Sequence, residues 1–355
     1  MKVAVITDTH WGVRNDNGAF LEYFKMFYEN VFFPTLKERG ITHVLHLGDL
    51  TDRRKYINYV TAKHMEEVFM RPLWENGIQL DVIAGNHDTY YKNTNEVNSL
   101  IQLYGQSKFD NVNIHWNDCA DVHFDDCQIL MVPWICQDNS ERIMKQMKET
   151  KAQIVMGHFE ILGFEMMRGH LCDHGMDKKI FKKFDSVYSG HFHHPSTHEN
   201  ITYLGAPYEM TWTDYEGKRG FHILDTETRE MEFVANPYRM FHKLFYNDDG
   251  LEMEDIVNID TSDLTNTYIK VIVSNKTNPY IFDLFLDRLQ QSGAADIKVV
   301  EDHQNLDILD ENELIDEAQD TRTILNQYID SIETKVDKDK VKLVISDLYN
   351  EAINL

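Results

Sequence analysis

Five short apolar runs, each broken by a small residue and then by a side chain able to bind a metal, constrain this chain more than any other feature. Met1 to Thr7 leads into Asp8 and His10, and Ile41 to Leu47 into Gly48-Asp49. Leu80 to Ala84 leads into Gly85-Asn86-His87-Asp88, Gln153 to Met156 into Gly157-His158, and Ser186 to Ser189 into Gly190-His191-Phe192-His193. In open α/β sheets ligands gather beyond the carboxyl ends of the strands, so five such strands deliver their polar ends to one edge. Glycine before a ligand allows the backbone to turn there. Asp8, His10, Asp49, Asn86, His158, His191 and His193 are carboxylate, imidazole or amide-oxygen donors of the kind divalent ions take. Seven donors exceed one ion's needs. They suit two ions sharing Asp49, with positions left for water and substrate, the arrangement that serves in-line attack on phosphate esters.

Within the tetrad, Asn86 offers an amide oxygen to the second ion and His87 is left for chemistry, as a cationic general acid that protonates the leaving alkoxide. Gly48-Asp49-Leu50-Thr51-Asp52-Arg53 holds more polar function than a loop requires. Asp52 is placed either to hold the imidazolium of His87 by a charge-assisted hydrogen bond or to cap a helix beginning near Tyr56. Arg53 either binds a phosphate oxygen or faces water. Arg14 and Trp11, in the loop after the first strand, either touch a polyanion beside the metals or are solvated and packed, respectively. His170 and His174 lie four apart but are flanked by Gly169 and Gly175 with no Glu between them, and are read as non-ligands.

A length of 355 residues and an apolar content of 42% fit a globular protein with one large core and small appendages. No apolar run is long enough to span a bilayer and the first residues read as a strand rather than a signal peptide, so an intracellular, cytoplasmic protein is expected. Cys119, Cys127, Cys136 and Cys172 form no Cys-x-x-Cys pair and are read as reduced thiols. A net charge of -24 argues against a broad basic surface for nucleic acid, so positive charge for such a substrate must come from bound ions or a partner.

Phe20, Phe24, Phe27 and Val31 recur at helical spacing, and Ser140 to Thr150 reads as a charged helix. Phe159 to Lys183 is a long connection over the rim of the site. Ile201 to Ala206, Gly220 to Asp225 and Glu230 to Ala235 read as strands that finish a second sheet. A turn-rich acidic stretch at Asn247-Asp248-Asp249-Gly250 marks a boundary. Beyond it a strand from Thr267, a helix from Pro279 to Gln291 and a strand from Ile297 form a small unit. From about Asp307 the chain is acidic, with two amphipathic helical stripes suited to folding back or to a partner's groove.

With these five motifs in order, the first two-thirds of the chain resembles the calcineurin-like metallophosphoesterase superfamily, most closely nuclease subunits of the SbcCD and meiotic-recombination type and their T-even phage branch. The resemblance implies an α/β fold, a four-layer α-β-β-α sandwich over residues 1–246, a small α+β capping domain over 247–306 and a helical partner-binding tail over 307–355. It implies one manganese held by Asp8, His10, Asp49 and His193, another by Asp49, Asn86, His158 and His191, with magnesium as the substitute. His87 would be the catalytic histidine. The implied activity is double-strand exonuclease and single-strand endonuclease action on DNA in recombination, repair and replication. The implied partners are DNA, a coiled-coil SMC-like ATPase bound through the tail, and a second copy of the chain. A phosphoprotein phosphatase is the alternative, because Gly48-Asp49-x-x-Asp52-Arg53 is close to the signature of those enzymes.

Overall fold

The computed structural model describes residues 1–301 apart from 108, 168 and 169, and in the tail 329, 338, 340–342 and 344. The two expected tail helices fall largely outside the described residues. Two six-stranded sheets form the body. In the first the spatial order is Met231–Ala235, Gly220–Asp225, Lys2–Ile6, His43–His46, Gln79–Ile83 and Val112–His115. In the second it is Ser196–His198, Ile201–Tyr203, Ser186–Ser189, Ile154–Gly157, Cys127–Val132 and Ala120–Phe124.

Period-two alternation sorts the side chains of each strand between two cores. Val3, Val5, Leu45 and Leu47 of the first sheet meet Ile129, Met131, Ile154 and Met156 of the second in the seam between the sheets. Ala4, Ile6, Val44 and Val82 point the other way, onto Phe20, Phe24 and Phe27 of helix Gly18–Phe27, Phe32 and Leu36 of the helical continuation, and Phe69 and Leu73. Leu130, Val132, Val155 and Val187 cover Ile143 and Met147 of helix Ser140–Glu149 and Phe181. The result is helix, sheet, sheet, helix. Strands buried on both faces read as continuous apolar runs, which is how the sequence writes them.

The strands Gly220–Asp225 and Met231–Ala235 do not finish the second sheet as expected from sequence. They return to the first, where Lys2 pairs with Asp225 and Val5 with His222 in an antiparallel ladder. The physical reason is the first strand: buried on both faces and parallel to His43–His46 on one side, it would otherwise leave a bare edge on the other.

A third sheet, of Phe241–Asn247, Tyr268–Asn275 and Asp296–Val300, is wholly parallel and carries helix Pro279–Gln291 on its apolar face. The strand Phe241–Asn247 already belongs to it, so this unit starts ahead of the turn at 247–250 where the change in composition lies. It is tied to the body. Buried Glu209 accepts from the amides of Met240 and Phe241 at 2.8 and 3.0 Å, Asn17 donates to the Tyr268 hydroxyl at 2.8 Å, and Lys270 lies 4.0 Å over the Trp212 ring.

Candidate metal centre

All five ligand-bearing strands end at the same edge, three from the first sheet and two from the second, because within each sheet these strands run parallel. The donor loops therefore meet across the seam. Ligand atoms of Asp8, His10 and His193 lie within 4.8 Å of one another, as do those of Asp49, His158 and His191. Asp49 joins the two sets. Its Oδ2 stands 3.2 Å from His158 Nε2 and 3.7 Å from His10 Nε2, while its Oδ1 accepts from the His87 amide at 2.7 Å. Asn86 Oδ1 is 2.9 Å from His158 Nε2, and His10 Nε2 is 3.1 Å from His193 Nε2. His158 Nδ1 faces the Leu47 carbonyl at 2.8 Å; a carbonyl only accepts, so Nδ1 carries the proton and Nε2 is the free donor atom.

The backbone is bent to achieve this. Asp8, His10, Asp49 and His191 have φ of 52°, 42°, 54° and 86°, a left-handed conformation that non-glycine residues rarely adopt. Hydrogen bonds hold the turns: both oxygens of Asp8 accept from the His191 amide at 3.0 and 3.1 Å, joining the sheets, and Thr7 donates to Asp8 at 2.8 Å. Gly85 is required by proximity rather than by φ. A Cβ there would fall 2.2 Å from Asp49 Oδ1.

Burial and charge oppose each other across the donor set. Burial pulls the His10 imidazole down, but Asp52 beside it, with Asp49 and Asp8, carries its pKa up to about 9. His158 is likewise pulled down by burial and raised, chiefly by Asp49, to about 9. Burial would raise Asp49, yet His158, His87 and His10 hold it well below the carboxylate range. Burial lowers His191 and, helped by the positive His10, His193. A pocket that attracts protons this strongly to some of its imidazoles attracts a metal cation for the same reason, and binding one releases those protons. The donor set thus fits two divalent ions in residue type, convergence and sign of field.

The structure resolves the open readings of the neighbouring residues. His87 Nδ1 lies 2.5 Å from the backbone carbonyl of Asp52, so it is the main chain of Asp52, not its carboxylate, that orients His87. The carboxylate faces His10 Nδ1 at 3.2 Å instead. Asp52 caps no helix: the helix Tyr59–Met65 begins later than expected and is capped by Asn58, which accepts from the Val60 amide. Arg53 is engaged within the chain. Its Nη1 pairs with Asp16 at 2.7 Å and its Nη2 reaches Asn15 and the Gly12 carbonyl, pinning the turn that carries left-handed Arg14, Asn15 and Asp16. Arg14 donates from Nε to the Met210 carbonyl at 3.0 Å, and Trp11 is buried and stacked on Tyr28.

Several contributors do not stand out in the sequence. Fully buried Asp88 accepts from the amides of Gly85, Thr51 and Leu50 at 2.9, 3.0 and 3.3 Å, stitching the Gly48-Asp49 and Gly85-Asn86 loops together. Its place two residues after a ligand is the available signal. Glu160, two residues after His158, sets Oε1 3.7 Å from His191 Nε2 and 3.2 Å from His174 Nε2. His174 is thereby grouped with Glu160 and Cys172; the side chain of His170 lies outside the described residues. Arg219, buried with Asp214 at 2.7 Å, donates to the His193 carbonyl and fixes that loop.

Comparison with known proteins agrees with this geometry. The family model described as calcineurin-like phosphoesterase matches residues 1–195. Exonuclease subunit 1 of Enterobacteria phage T4 is 32% identical over 359 residues, covering 99% of each chain. A subunit of the nuclease SbcCD from Staphylococcus epidermidis is 23% identical over 98% of each chain, and its Staphylococcus saprophyticus counterpart 23% identical over 69% of this chain and 70% of the relative. Matched by the family model over more than half its length, and by the phage relative over nearly all of it, the chain belongs to the calcineurin-like phosphoesterase family and is a metal-dependent phosphodiesterase.

Proposed function

We propose that this phosphodiesterase is a DNA nuclease, with double-strand exonuclease and single-strand endonuclease action, working with a coiled-coil ATPase in recombination, repair and replication. The observation that carries the reading is the extent of the likeness to Exonuclease subunit 1, which runs through the small capping unit and the tail as well as the phosphoesterase core. In this reading the three-stranded unit helps to position DNA, the tail docks on the ATPase, two copies of the chain pair, and the complex acts in the host cytoplasm. No helix among the described residues is long and apolar enough to cross a membrane.

Asp8, His10, Asp49 and His193 would hold one manganese, and Asp49, Asn86, His158 and His191 the other. Such ions, or magnesium in their place, polarise the phosphodiester and lower the pKa of the attacking water. The chain's own part is positional and protonic. Asp49 occupies both donor sets and so fixes their spacing. The Asp52 carbonyl accepts the Nδ1 proton of His87, which leaves Nε2 as the atom that holds a proton and delivers it to the departing sugar oxygen. A phosphatase reading is disfavoured because Arg53, the residue of the Asp52-Arg53 pair that would grip a phosphate, is engaged by Asp16.

The test is cleavage of linear duplex and single-stranded DNA with manganese or magnesium, with and without a candidate coiled-coil ATPase, beside a phosphopeptide and a cyclic nucleotide. DNA should be the substrate that is cut. His87→Ala should load metal like the parent yet lose roughly 10²–10⁴-fold in cleavage. Preferential release of phosphate from the phosphopeptide would overturn the assignment, and an active His87→Ala enzyme would overturn the role of that residue.

A further inference from the structure

Of the arginines in the loops beside the donor set, Arg219 is held by Asp214 and the His193 carbonyl, and two more are structurally employed. Arg14 donates to Met210, and Arg53 is held by Asp16, Asn15 and Gly12 and lies 4.9 Å over the Tyr56 ring. Arg54 differs. It is half-buried and forms no hydrogen bond or ion pair with any described residue; Arg14 Nη2 and Arg219 Nε are also buried without a hydrogen-bond partner, but those two side chains are held through their other nitrogens. A half-buried guanidinium is ordinarily paired within the chain, so one with no partner at all is available to a ligand. The place is informative. Arg54 directly follows the Asp52-Arg53 pair, in the loop whose Asp52 holds His10 with its carboxylate and His87 with its carbonyl.

The charge that acts on Arg54 is Asp49, the carboxylate between the two donor sets; burial pulls the guanidinium down and Asp49 draws it back up. No hydrogen bond joins Arg54 to Asp49, whose oxygens face the His87 amide and His158. A guanidinium stays protonated even when partly buried, and its planar fork matches the oxygens of a phosphate. In a chain of net charge -24, a fixed cation at this spot offsets the repulsion that an incoming phosphodiester meets.

Building on the phosphodiesterase reading above, we propose that Arg54 is the phosphate-binding residue of the site, its guanidinium, unpaired within the chain, donating to a non-bridging oxygen of the phosphodiester under attack. Neither Arg14 nor Arg53, the arginines that the sequence puts forward, has that position. The contact persists as the phosphorus becomes more negative, so it contributes to turnover as well as to binding.

The test compares full-length parent, Arg54→Lys and Arg54→Gln, each loaded with manganese. The first readout is calorimetric binding of inorganic phosphate. The second is hydrolysis of bis(p-nitrophenyl) phosphate, which has one phosphorus and no flanking phosphates. For Arg54→Gln, phosphate affinity should fall about tenfold or more, near 1.4 kcal/mol, and kcat/KM for the diester by a similar or larger factor, with manganese stoichiometry unchanged. Added guanidinium should restore part of the diester activity of Arg54→Gln, which loss of a merely structural residue would not allow. Unchanged phosphate affinity in both variants at full manganese loading would overturn the proposal. If the parent hydrolyses the diester but leaves DNA intact, the nuclease reading fails while the role of Arg54 is still decided by phosphate binding.

Discussion

The division of labour within Asp52 makes Asp52→Asn the most discriminating single substitution. Its carbonyl contact to His87 belongs to the backbone and survives the change, whereas its carboxylate, 3.2 Å from His10 Nδ1, loses its charge but not its shape. The rise of His10 to about 9 from an ordinary value of 6.5 amounts to roughly 3 kcal/mol of preference for positive charge at that ring, opposed by burial and supplied by Asp52, Asp49 and Asp8. A metal ion on Nε2 experiences the same carboxylates. Removing one such supporting carboxylate typically lowers metal affinity about 10–100-fold, which is within that total. Protons compete for the same ring, however, and the variant's His10 holds its proton less tightly. The deficit in manganese affinity should therefore be full at about pH 9 and shrink toward pH 7, where the parent must first expel a proton. Manganese titration at the two pH values, followed by diester turnover at saturating metal, reads this out, and kcat should remain within a few-fold of the parent. A fall in kcat at saturating manganese with affinity unchanged would refute the reasoning, because it would place the work of the carboxylate on His87.

Two further outcomes rest on packing and on buried charge. Gly85→Ala forces a Cβ to within 2.2 Å of Asp49 Oδ1 and 2.3 Å of its amide; relief by backbone movement should cost about 1–3 kcal/mol in urea unfolding and displace the shared ligand, so that manganese binding weakens more than stability does. His46 is fully buried, its Nε2 3.0 Å from the Thr9 hydroxyl, and burial lowers its pKa to about 3. Because the folded value lies below the unfolded one, the native state binds fewer protons, and stability is lost as the pH falls from about 6.5 toward 3. That loss approaches 1.4 kcal/mol per pH unit for this one group. The stability difference between parent and His46→Gln should narrow by about that amount per unit over the same range, and a difference independent of pH would show that His46 is not buried neutral.

What the sequence displays and what it conceals divide along a physical line. The donors at the strand ends are legible because a buried parallel strand must be written as an apolar run, and an Asp or His at its end stands out against it. The layer order follows from the same alternation, as in Val3 and Val5 facing one core and Ala4 and Ile6 the other. The return of Gly220–Asp225 to the first sheet is not legible, since an apolar strand advertises that it needs neighbours but not which ones. The left-handed turns at Asp8, His10, Asp49 and His191 are hidden too, because glycine is the residue that announces positive φ and these are ligands first.

At positions 52 and 53 sequence and structure part for one shared reason. The chemistry of the side chains suggests roles for Asp52 and Arg53, while their positions are set by partners remote in the chain: Asp16 claims Arg53 across 37 residues, and His87 is held by a backbone carbonyl that any residue at position 52 would supply. Main-chain acceptors have no signature in a sequence, so a contact made through one is invisible until the fold is known. The same geometry constrains what can change at this position. Since the His87 contact does not require an aspartate, the identity of residue 52 must be maintained by His10 and the ion it would bind, and substitutions there should track metal affinity before they track turnover.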